Sequence, residues 1–259
     1  MLSAKSIKDH VSLISTALDY AVKMLLVPKN PCKGVTLPRR DDVEREILSL
    51  SQTQELLSLL SGDSNTNIQL DMFLVLAIYT GMRRGELLGL KWSDIDFTHG
   101  LISIRRAAYY ESGGRGAYID TPKTKNSVRT LKISGYSLAR VKAYREWQQP
   151  YAADLGDKWK NGDWVFTNWC GDLMYTNAPE RYFKKLCESN GLPRVSLHSL
   201  RHLNASLLIY SGLDIKTVQG ALGHSSATTT LNIYAHEFQM AQAIASAAIT
   251  NALESALAS

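Results

Sequence analysis

The strongest constraint on the fold of this chain is that its candidate reactive side chains fall in two stretches far apart in the sequence. His198, Arg201, His224 and Tyr234 lie towards the C-terminal end, whereas Arg83 lies far upstream in a glycine-bounded turn. Guanidinium groups hold phosphate oxygens in a fixed fork, and a phenol beside them is a nucleophile for phosphorus. A fold that gathers these side chains would form a site for phosphodiester chemistry.

Tyr234 is the candidate nucleophile, although any single tyrosine is more often a packing or surface residue. The chain has 12 tyrosines, and Tyr234 stands out because it follows His224 by ten residues, just behind three consecutive threonines. An unperturbed phenol has a pKa of about 10, so its ionisation at pH 7 costs about 4 kcal/mol. The arginines and histidines of the set could supply the positive charge and the proton acceptor that this ionisation needs.

Two histidines and an arginine are spaced for one helix around position 200. Arg201 follows His198 by three residues, so both side chains share a face and could hold one phosphate. A solvated polar face is the alternative, but the surrounding leucines indicate a largely buried helix, which Ser196 would cap. His198 and His202 have the i, i+4 spacing of a zinc pair. Ser199 stands where the His-Glu-x-x-His motif has glutamate, and no third ligand is evident, so we do not predict a metal.

Two further cationic positions are candidates. Arg83 or Arg84 could face an anion, because both lie where a turn opens a helix, and Glu86 could orient the guanidinium. An ordinary surface cluster is the alternative. Lys123 lies at the predicted junction of two strands, from which it could reach a cleft and protonate a leaving oxygen. A solvated lysine fits the same spacing.

The overall composition allows a nucleic-acid partner without requiring one. The chain has 259 residues, 45% of them hydrophobic, and a formal net charge of +5, with a pI near 9.0. Its three cysteines are far apart, which argues against a disulfide framework or a zinc cluster and fits a reducing cytoplasm. We find no glycine-rich phosphate loop, no secretory signal and no apolar run of membrane-spanning length.

Hydrophobic periodicity and capping residues predict a mainly α fold with one small antiparallel β-sheet. A charged stretch at 39–45 without apolar periodicity predicts a linker. Strands are predicted at 101–104, 117–120 and 127–133. Helices are predicted at 3–26, 52–61, 68–80, 84–90, 137–149, 178–190, from 196 onward, 214–222 and 226–234, followed by an alanine-rich tail.

Five motifs, in this order and at this spacing, resemble the tyrosine recombinases, the phage integrase family. They are TGMRRGELLGL, TPKTKNSVRTL, HSLRHLNAS, LGHSS and TTTLNIYAH. The similarity extends over residues 49–236 and is strongest to integrases of Gram-positive phages and conjugative transposons. It implies a catalytic domain of that family's α+β fold, preceded by part of a helical core-binding domain.

The resemblance assigns the catalytic residues one by one. Arg83 matches the first arginine, Lys123 the β-hairpin lysine, His198 and Arg201 the His-x-x-Arg pair, His224 the next histidine and Tyr234 the nucleophile. Lys125 is the rival to Lys123, because the hairpin motif is the loosest of the five. Ser199 replaces the aspartate of many relatives, with little expected effect on the chemistry.

The same resemblance divides the chain into three segments. Residues 1–45 match only the final part of a core-binding domain plus a linker, 46–236 form the catalytic domain, and 237–259 form a helical tail. A full core-binding domain would be about twice as long and the family's arm-binding domain has no counterpart, so we expect a shortened chain. The narrow apolar stripe of the tail could pack on its own domain or dock on a neighbouring protomer.

The implied activity is site-specific DNA recombination through a 3′-phosphotyrosyl intermediate, without metal or ATP. Arg83 and Arg201 would stabilise the phosphate charge, Lys123 would protonate the 5′-oxygen, His198 would assist tyrosine deprotonation and His224 would support the phosphate. The implied partners are duplex DNA and further copies of the chain, as a dimer per site and a tetramer in the synapse. An excisionase or a host DNA-bending factor is a further candidate partner. The implied location is the bacterial cytoplasm, at the nucleoid.

Sequence recognition is harder to assign. Basic side chains on the sheet and the first helix are candidates for phosphate contact: Lys5, Lys8, Arg105, Arg106, Lys125, Arg129 and Lys132. Each alone is more often a solvated surface charge. A type IB topoisomerase and a non-catalytic DNA-binding relative are the alternatives to a recombinase. A metal-dependent nuclease is less favoured, because no carboxylate cluster is evident.

Overall fold

A computed structural model of the chain describes residues 2–39, 47–60, 67–111, 116–120, 128–160, 162–223 and Tyr234. The chain divides into two compact units, Met1–Arg45 and Glu46–Ser259. The division falls at the end of the stretch predicted as a linker. Lys123, Lys125, His224, the predicted helix at 226–234 apart from Tyr234, and the tail lie outside the described residues.

The first unit is built on one long helix. Helix α1, Ala4–Lys23, begins where the Ser3 side chain accepts a hydrogen bond from the backbone N–H of Ser6, as the capping prediction requires. A short 3-10 turn, Pro31–Gly34, follows. Its preceding residue, Asn30, donates from its side-chain amide to Asp19 Oδ1 at 2.7 Å. This contact holds the turn against the helix.

The described helices of the second unit begin close to their predicted positions. Gln52 and Ser49 form the reciprocal capping box that opens the first of them. The helix predicted at 137–149 extends to Leu155, because Pro150 removes only one backbone donor and the helix continues beyond it. Within the described ranges, no helix combines the length and apolar composition needed to cross a bilayer. The helices are α2 (Leu50–Leu59), α3 (Ile68–Thr80), α4 (Arg84–Leu88), α5 (Gly135–Leu155), α6 (Ala178–Ser189), α7 (Leu197–Tyr210) and α8 (Ile215–Leu222).

Helix α3 forms the centre of the hydrophobic core. Its side chains from Met72 to Ile78 are all buried, so it is apolar around its whole circumference. It packs against α5, α6 and α7. Phe73 meets Phe166 edge to face, with ring centroids 5.0 Å apart. The C-terminal end of α3 therefore presents the turn that carries Arg83 from a rigid base.

The strands form two small sheets rather than the single sheet that the sequence predicts. Strands β1 (Ile95–Asp96), β2 (Leu101–Ile104) and β5 (Arg129–Lys132) form one antiparallel sheet in the order β1-β2-β5. Strands β3 (Ala107–Glu111) and β4 (Gly116–Asp120) form a separate antiparallel pair.

Strand β3 was not predicted because its two alanines followed by two tyrosines do not alternate between apolar and polar residues. The alanines are small because α4 packs directly on them. A Cβ atom added at Gly85 would lie 2.7 Å from the Ala108 carbonyl oxygen, so glycine is required for this approach. The contact fixes α4, and with it Arg83 and Glu86, against the strand pair.

Gly81 joins α3 to the two helices that carry the C-terminal part of the site. It closes α3 in the left-handed conformation with φ of 60°. An added Cβ atom would lie 2.6 Å from Asn204 Oδ1 on α7 and 2.9 Å from Leu222 Cδ2 on α8. The position therefore requires glycine both for its backbone and for its lack of a side chain.

We expect Gly81→Ala to destabilise the protein more than the matched substitution Gly212→Ala. Both residues have positive φ, but an added Cβ at Gly212 would meet no atom within 4 Å. The left-handed backbone costs about 1–2 kcal/mol in either variant, and the overpacked contact adds about 1–3 kcal/mol at Gly81 alone. Urea unfolding of both variants measures the difference. Equal losses of unfolding free energy would contradict the close packing at Gly81.

Candidate active site

A cleft of about 870 Å³ has four of the predicted site residues in its walls. The turn after α3, the start of α4, strand β3 and the starts of α6 and α7 line it. Arg83, Glu86, His198 and Arg201 all contribute to this lining. The fold thus brings together side chains that the sequence separates widely.

Arg83 is fixed in the cleft by its own backbone and by its side chain. It is the N-cap residue of α4, and its N–H donates to Glu86 Oε2 at 2.8 Å. Its Nη1 donates to Glu86 Oε1 at 2.7 Å. The predicted pairing of these two residues is therefore present. The Arg83 side chain remains 38% exposed, which leaves it accessible to a ligand in the cleft.

Glu86 is a buried carboxylate shared by two arginines. Arg129, on β5, donates from Nη1 and Nη2 to the two oxygens of Glu86, each at 3.0 Å. Burial opposes the ionisation of Glu86, but the hydrogen bonds and charge of Arg129, together with those of Arg83, outweigh it and lower its pKa. The carboxylate is only 3% exposed. It therefore remains charged and orients both guanidinium groups.

The C-terminal end of α8 is held by three arginines. The last carbonyls of a helix lack intrahelical partners and carry partial negative charge, so cations stabilise them. Here three consecutive carbonyls each accept one guanidinium hydrogen bond. The pairs are Arg129 Nε with Ala221 at 2.8 Å, Arg201 Nη2 with Leu222 at 2.6 Å and Arg83 Nη2 with Gly223 at 2.9 Å. We call Arg83, Arg129 and Arg201 the arginine cluster.

Arg201 is the most deeply buried member of the arginine cluster. It is 3% exposed, and its Nη1 also donates to the Gly81 carbonyl at 2.7 Å. Burial, and then the charge of Arg83, lower the pKa of Arg201 to about 9, while Glu86 opposes this effect. The guanidinium stays protonated at neutral pH. Two of its five N–H groups bond to these carbonyls, which leaves donors for an anion in the cleft.

Tyr234 lies against α7, where His202 bonds its hydroxyl. The distance between Tyr234 Oη and His202 Nδ1 is 2.6 Å, and the two residues are 2% and 5% exposed. The His202 ring also meets the ring of His198 at right angles, with centroids 4.8 Å apart. Sequence reasoning considered His202 only as half of a zinc pair. Among the described residues, no group of three His, Cys, Asp or Glu side chains could hold a metal.

The structure corrects the expected surface placement of two basic residues. Arg129 has only 8% of its side chain exposed, because it bonds Glu86 and the end of α8. Arg106 bonds the buried Asp94 with Nη1 and, at 3.3 Å, with Nη2, and only 22% of its side chain is exposed. Both guanidinium groups thus have structural partners. The other described candidates are exposed or half-buried cations: Lys5, Lys8, Arg105 and Lys132.

Comparisons with known proteins agree with the motifs. The family model described as Phage integrase family matches residues 46–240. A tyrosine recombinase XerC-like protein of Caldanaerobacter subterraneus subsp. tengcongensis is 32% identical, over 90% of this chain and 63% of its own length. The ICEBs1 integrase of Bacillus subtilis is 29% identical, over 91% of this chain and 62% of its own length. The chain thus spans about three fifths of the length of these relatives.

A solved structure extends the similarity to the fold. The Tn1549 transposon integrase, in complex with circular intermediate DNA, superposes with a TM-score of 0.75 at 26% sequence identity. The match covers 90% of this chain and 76% of that chain. The fold of this chain is therefore similar to that of another protein whose structure was solved in complex with DNA.

We expect Glu86→Gln to lower the free energy of unfolding by about 3 kcal/mol at pH 7, because it leaves the buried Arg129 and the half-buried Arg83 without their shared charge. The pKa of Glu86 is lowered in the folded state. Its contribution is therefore complete above the unfolded pKa of about 4.3 and is lost as the pH falls through the folded value.

Urea unfolding of wild type and Glu86→Gln between pH 7 and pH 3 measures this contribution. The difference in the free energy of unfolding between the two proteins should narrow below about pH 4, because a protonated Glu86 is neutral like glutamine. Glu55→Gln, on the exposed side of α2, is the matched control. A gap that stays constant down to pH 3 would show that the charge of Glu86 does not stabilise the fold.

Proposed function

The chain belongs to the phage integrase family, and from this premise we propose that it is a site-specific DNA recombinase that cuts and rejoins strands through a tyrosine ester. One observation supports this function above all. Arg83 and Arg201 converge on one cleft from distant parts of the chain, and Tyr234 is bonded to the residue that follows Arg201. The proposed nucleophile and the two proposed phosphate-binding cations therefore come from one region of the fold.

In the proposed cleavage step, Tyr234 attacks a DNA phosphorus and forms a 3′-phosphotyrosyl bond while the bond to the 5′-oxygen breaks. Arg83 and Arg201 hold the non-bridging oxygens, where negative charge develops. Their orientation is set before DNA binds, by Glu86 and by the carbonyls of α8. Removing one such preorganised donor typically slows a reaction by about 10²–10³-fold. His198, exposed at the cleft, is placed to bond a phosphate oxygen.

The remaining roles rest on the family motifs. Lys123 is proposed to protonate the leaving 5′-oxygen, with Lys125 as its rival, and His224 to support the phosphate. The 5′-hydroxyl of a partner strand then attacks the phosphotyrosyl bond and restores a phosphodiester. Because one ester is exchanged for another, the reaction as proposed needs neither ATP nor a metal ion.

The proposed substrate is duplex DNA at the ends of a mobile element, and the proposed setting is the bacterial cytoplasm at the nucleoid. The DNA-bound transposon integrase of similar fold supports this substrate. Copies of the chain would assemble as a dimer on each site and a tetramer in the synapse, with the tail at 237–259 joining neighbours. An excisionase or a host DNA-bending factor is a proposed accessory partner. Strand exchange between two duplexes distinguishes this activity from topoisomerase-like relaxation.

We expect wild-type protein to form a denaturant-stable covalent adduct with a nicked suicide substrate of the cognate site. Tyr234→Phe should form none, because it lacks the attacking oxygen. Tyr210→Phe, at the exposed end of α7, is the matched control and should react like wild type. Gel electrophoresis in denaturant measures the adduct. An adduct of equal yield with Tyr234→Phe would reject Tyr234 as the nucleophile.

Adduct formation should also persist in EDTA, because the proposed phosphate charge is balanced by arginines rather than by a metal ion. The yield with wild type is measured in the presence and absence of chelator. A magnesium-dependent endonuclease acting on the same DNA controls for effective chelation. Loss of the adduct in EDTA, restored by added magnesium, would overturn the metal-free mechanism.

A further inference from the structure

We propose that His202 accepts the proton of Tyr234 during strand cleavage. This inference rests on the proposed function, since it names the residue that activates the nucleophile of that reaction. The family motifs give His202 no role, and the sequence analysis assigned tyrosine deprotonation to His198. The geometry points instead to the histidine one helical turn further along α7.

The contact between the two side chains is direct and enclosed. His202 Nδ1 lies 2.6 Å from Tyr234 Oη, and both residues are almost completely buried. Tyr234 is anchored in a small cluster formed by apolar residues of α7 and α8, whose members are Ala205, Ile209, Val218 and Leu222. The phenol is therefore held with its hydroxyl at the imidazole.

The charge of Arg201 lowers the free-energy cost of proton transfer at this contact. An imidazole has an ordinary pKa near 6.5, so at neutral pH much of it is unprotonated and can accept a proton. A free phenol keeps its proton at this pH. Arg201 lies close enough for its charge to attract a phenolate at Tyr234. The His198 ring also contacts His202. Arg201 thus lowers the cost of forming the phenolate, and His202 provides a site for the proton.

The proposed step conserves every atom and charge. In the tautomer with the proton on Nε2, the Tyr234 hydroxyl donates to Nδ1 of His202. The O–H bond breaks and an N–H bond forms, which leaves a phenolate and an imidazolium. The phenolate oxygen bonds to phosphorus as the phosphorus–5′-oxygen bond breaks, and the 5′-oxygen takes its proton from the general acid, for which Lys123 is proposed. On rejoining, His202 returns its proton to Tyr234.

Tyr234 must also move for this reaction to occur. Its ring is 2% exposed and is not among the described residues that line the cleft. His202 lies one helical turn behind His198, which does line the cleft. Attack on a phosphorus therefore requires the phenol to turn from His202 towards the cleft as the proton leaves.

The test compares His202→Asn and His202→Leu in single-turnover cleavage of the nicked suicide substrate. The asparagine amide can bond Tyr234 from near the Nδ1 position but cannot take up its proton at neutral pH, whereas leucine removes the contact. We expect both variants to cleave about 10²–10³-fold more slowly than wild type, with unchanged DNA affinity. His99→Asn, in the exposed turn after β1, is the matched control and should cleave at the wild-type rate.

A substrate with sulfur in place of the 5′-bridging oxygen separates the two proton transfers. A thiol has a pKa near 8.5, so a thiolate leaves without the protonation that an alkoxide needs. The defect of His202→Asn should persist on this substrate, because its nucleophile remains unactivated. A defect that disappears with the sulfur substrate would place His202 at the leaving group and overturn the proposal.

The other outcomes are equally decisive. If His202→Asn cleaved at the wild-type rate, His202 would only position Tyr234. If either variant cleaved faster than wild type, His202 would instead hold Tyr234 in an unreactive position. Either result overturns the role of proton acceptor. Urea unfolding of each variant tests for a folding defect. If His202→Leu is unstable, the cleavage rate of His202→Asn alone tests the proposal. Absence of an adduct with wild type would instead reject the proposed function itself.

Discussion

The site depends on the electrostatic balance around Glu86. The arginine cluster places three guanidinium groups near one another in a largely buried region, where like charges repel more strongly than they do in water. This repulsion contributes to the lowered pKa of Arg201. Glu86 supplies a full negative charge to Arg83 and Arg129, and the end of α8 supplies partial negative charge to all three arginines. The cluster is therefore stable before any phosphate enters the cleft.

This balance prepares the cleft for phosphate without filling its binding capacity. Arg83 and Arg201 each give two of their five N–H groups to the bonds described above, so their remaining donors keep a fixed direction. A phosphodiester carries a full negative charge, whereas the α8 carbonyls carry fractions of one, and a bound phosphate would therefore attract the cations more strongly. The donors need little reorganisation when charge develops during the reaction. The same contacts tie the C-terminal end of α8 to Arg83 and Arg201.

Local signals predicted the elements well, and long-range pairing explains most of what they missed. Capping residues and apolar periodicity located α1, α2 and α3, since these depend on neighbours within one or two turns. Strand β3 was not predicted because its small residues are set by the packing of α4 against the strand, which local sequence does not reveal. Arg106 and Arg129 were expected at the surface, because spacing does not reveal that a buried carboxylate will meet a cation from another element. Arg83, His198 and Arg201, which the motifs singled out, line one cleft, but the motifs do not reveal the burial that separates Tyr234 from it.

Because of their spacing on α7, one of the two histidines faces the cleft and the other is buried. Residues four apart lie on the same side of a helix but one turn apart along its axis, so a cleft that reaches the first turn need not reach the second. His198 stands in the first turn and is exposed to the cleft, while His202 stands in the second and is buried with Tyr234. In the proposed mechanism, the buried position of Tyr234 beside His202 protects its hydroxyl from reaction with other molecules. To reach a phosphorus in that mechanism, Tyr234 must leave this buried position, and the C-terminal end of α8 bonds the same two arginines that would hold the phosphate. A phosphate bound as proposed would therefore compete with the α8 carbonyls for the donors of Arg83 and Arg201.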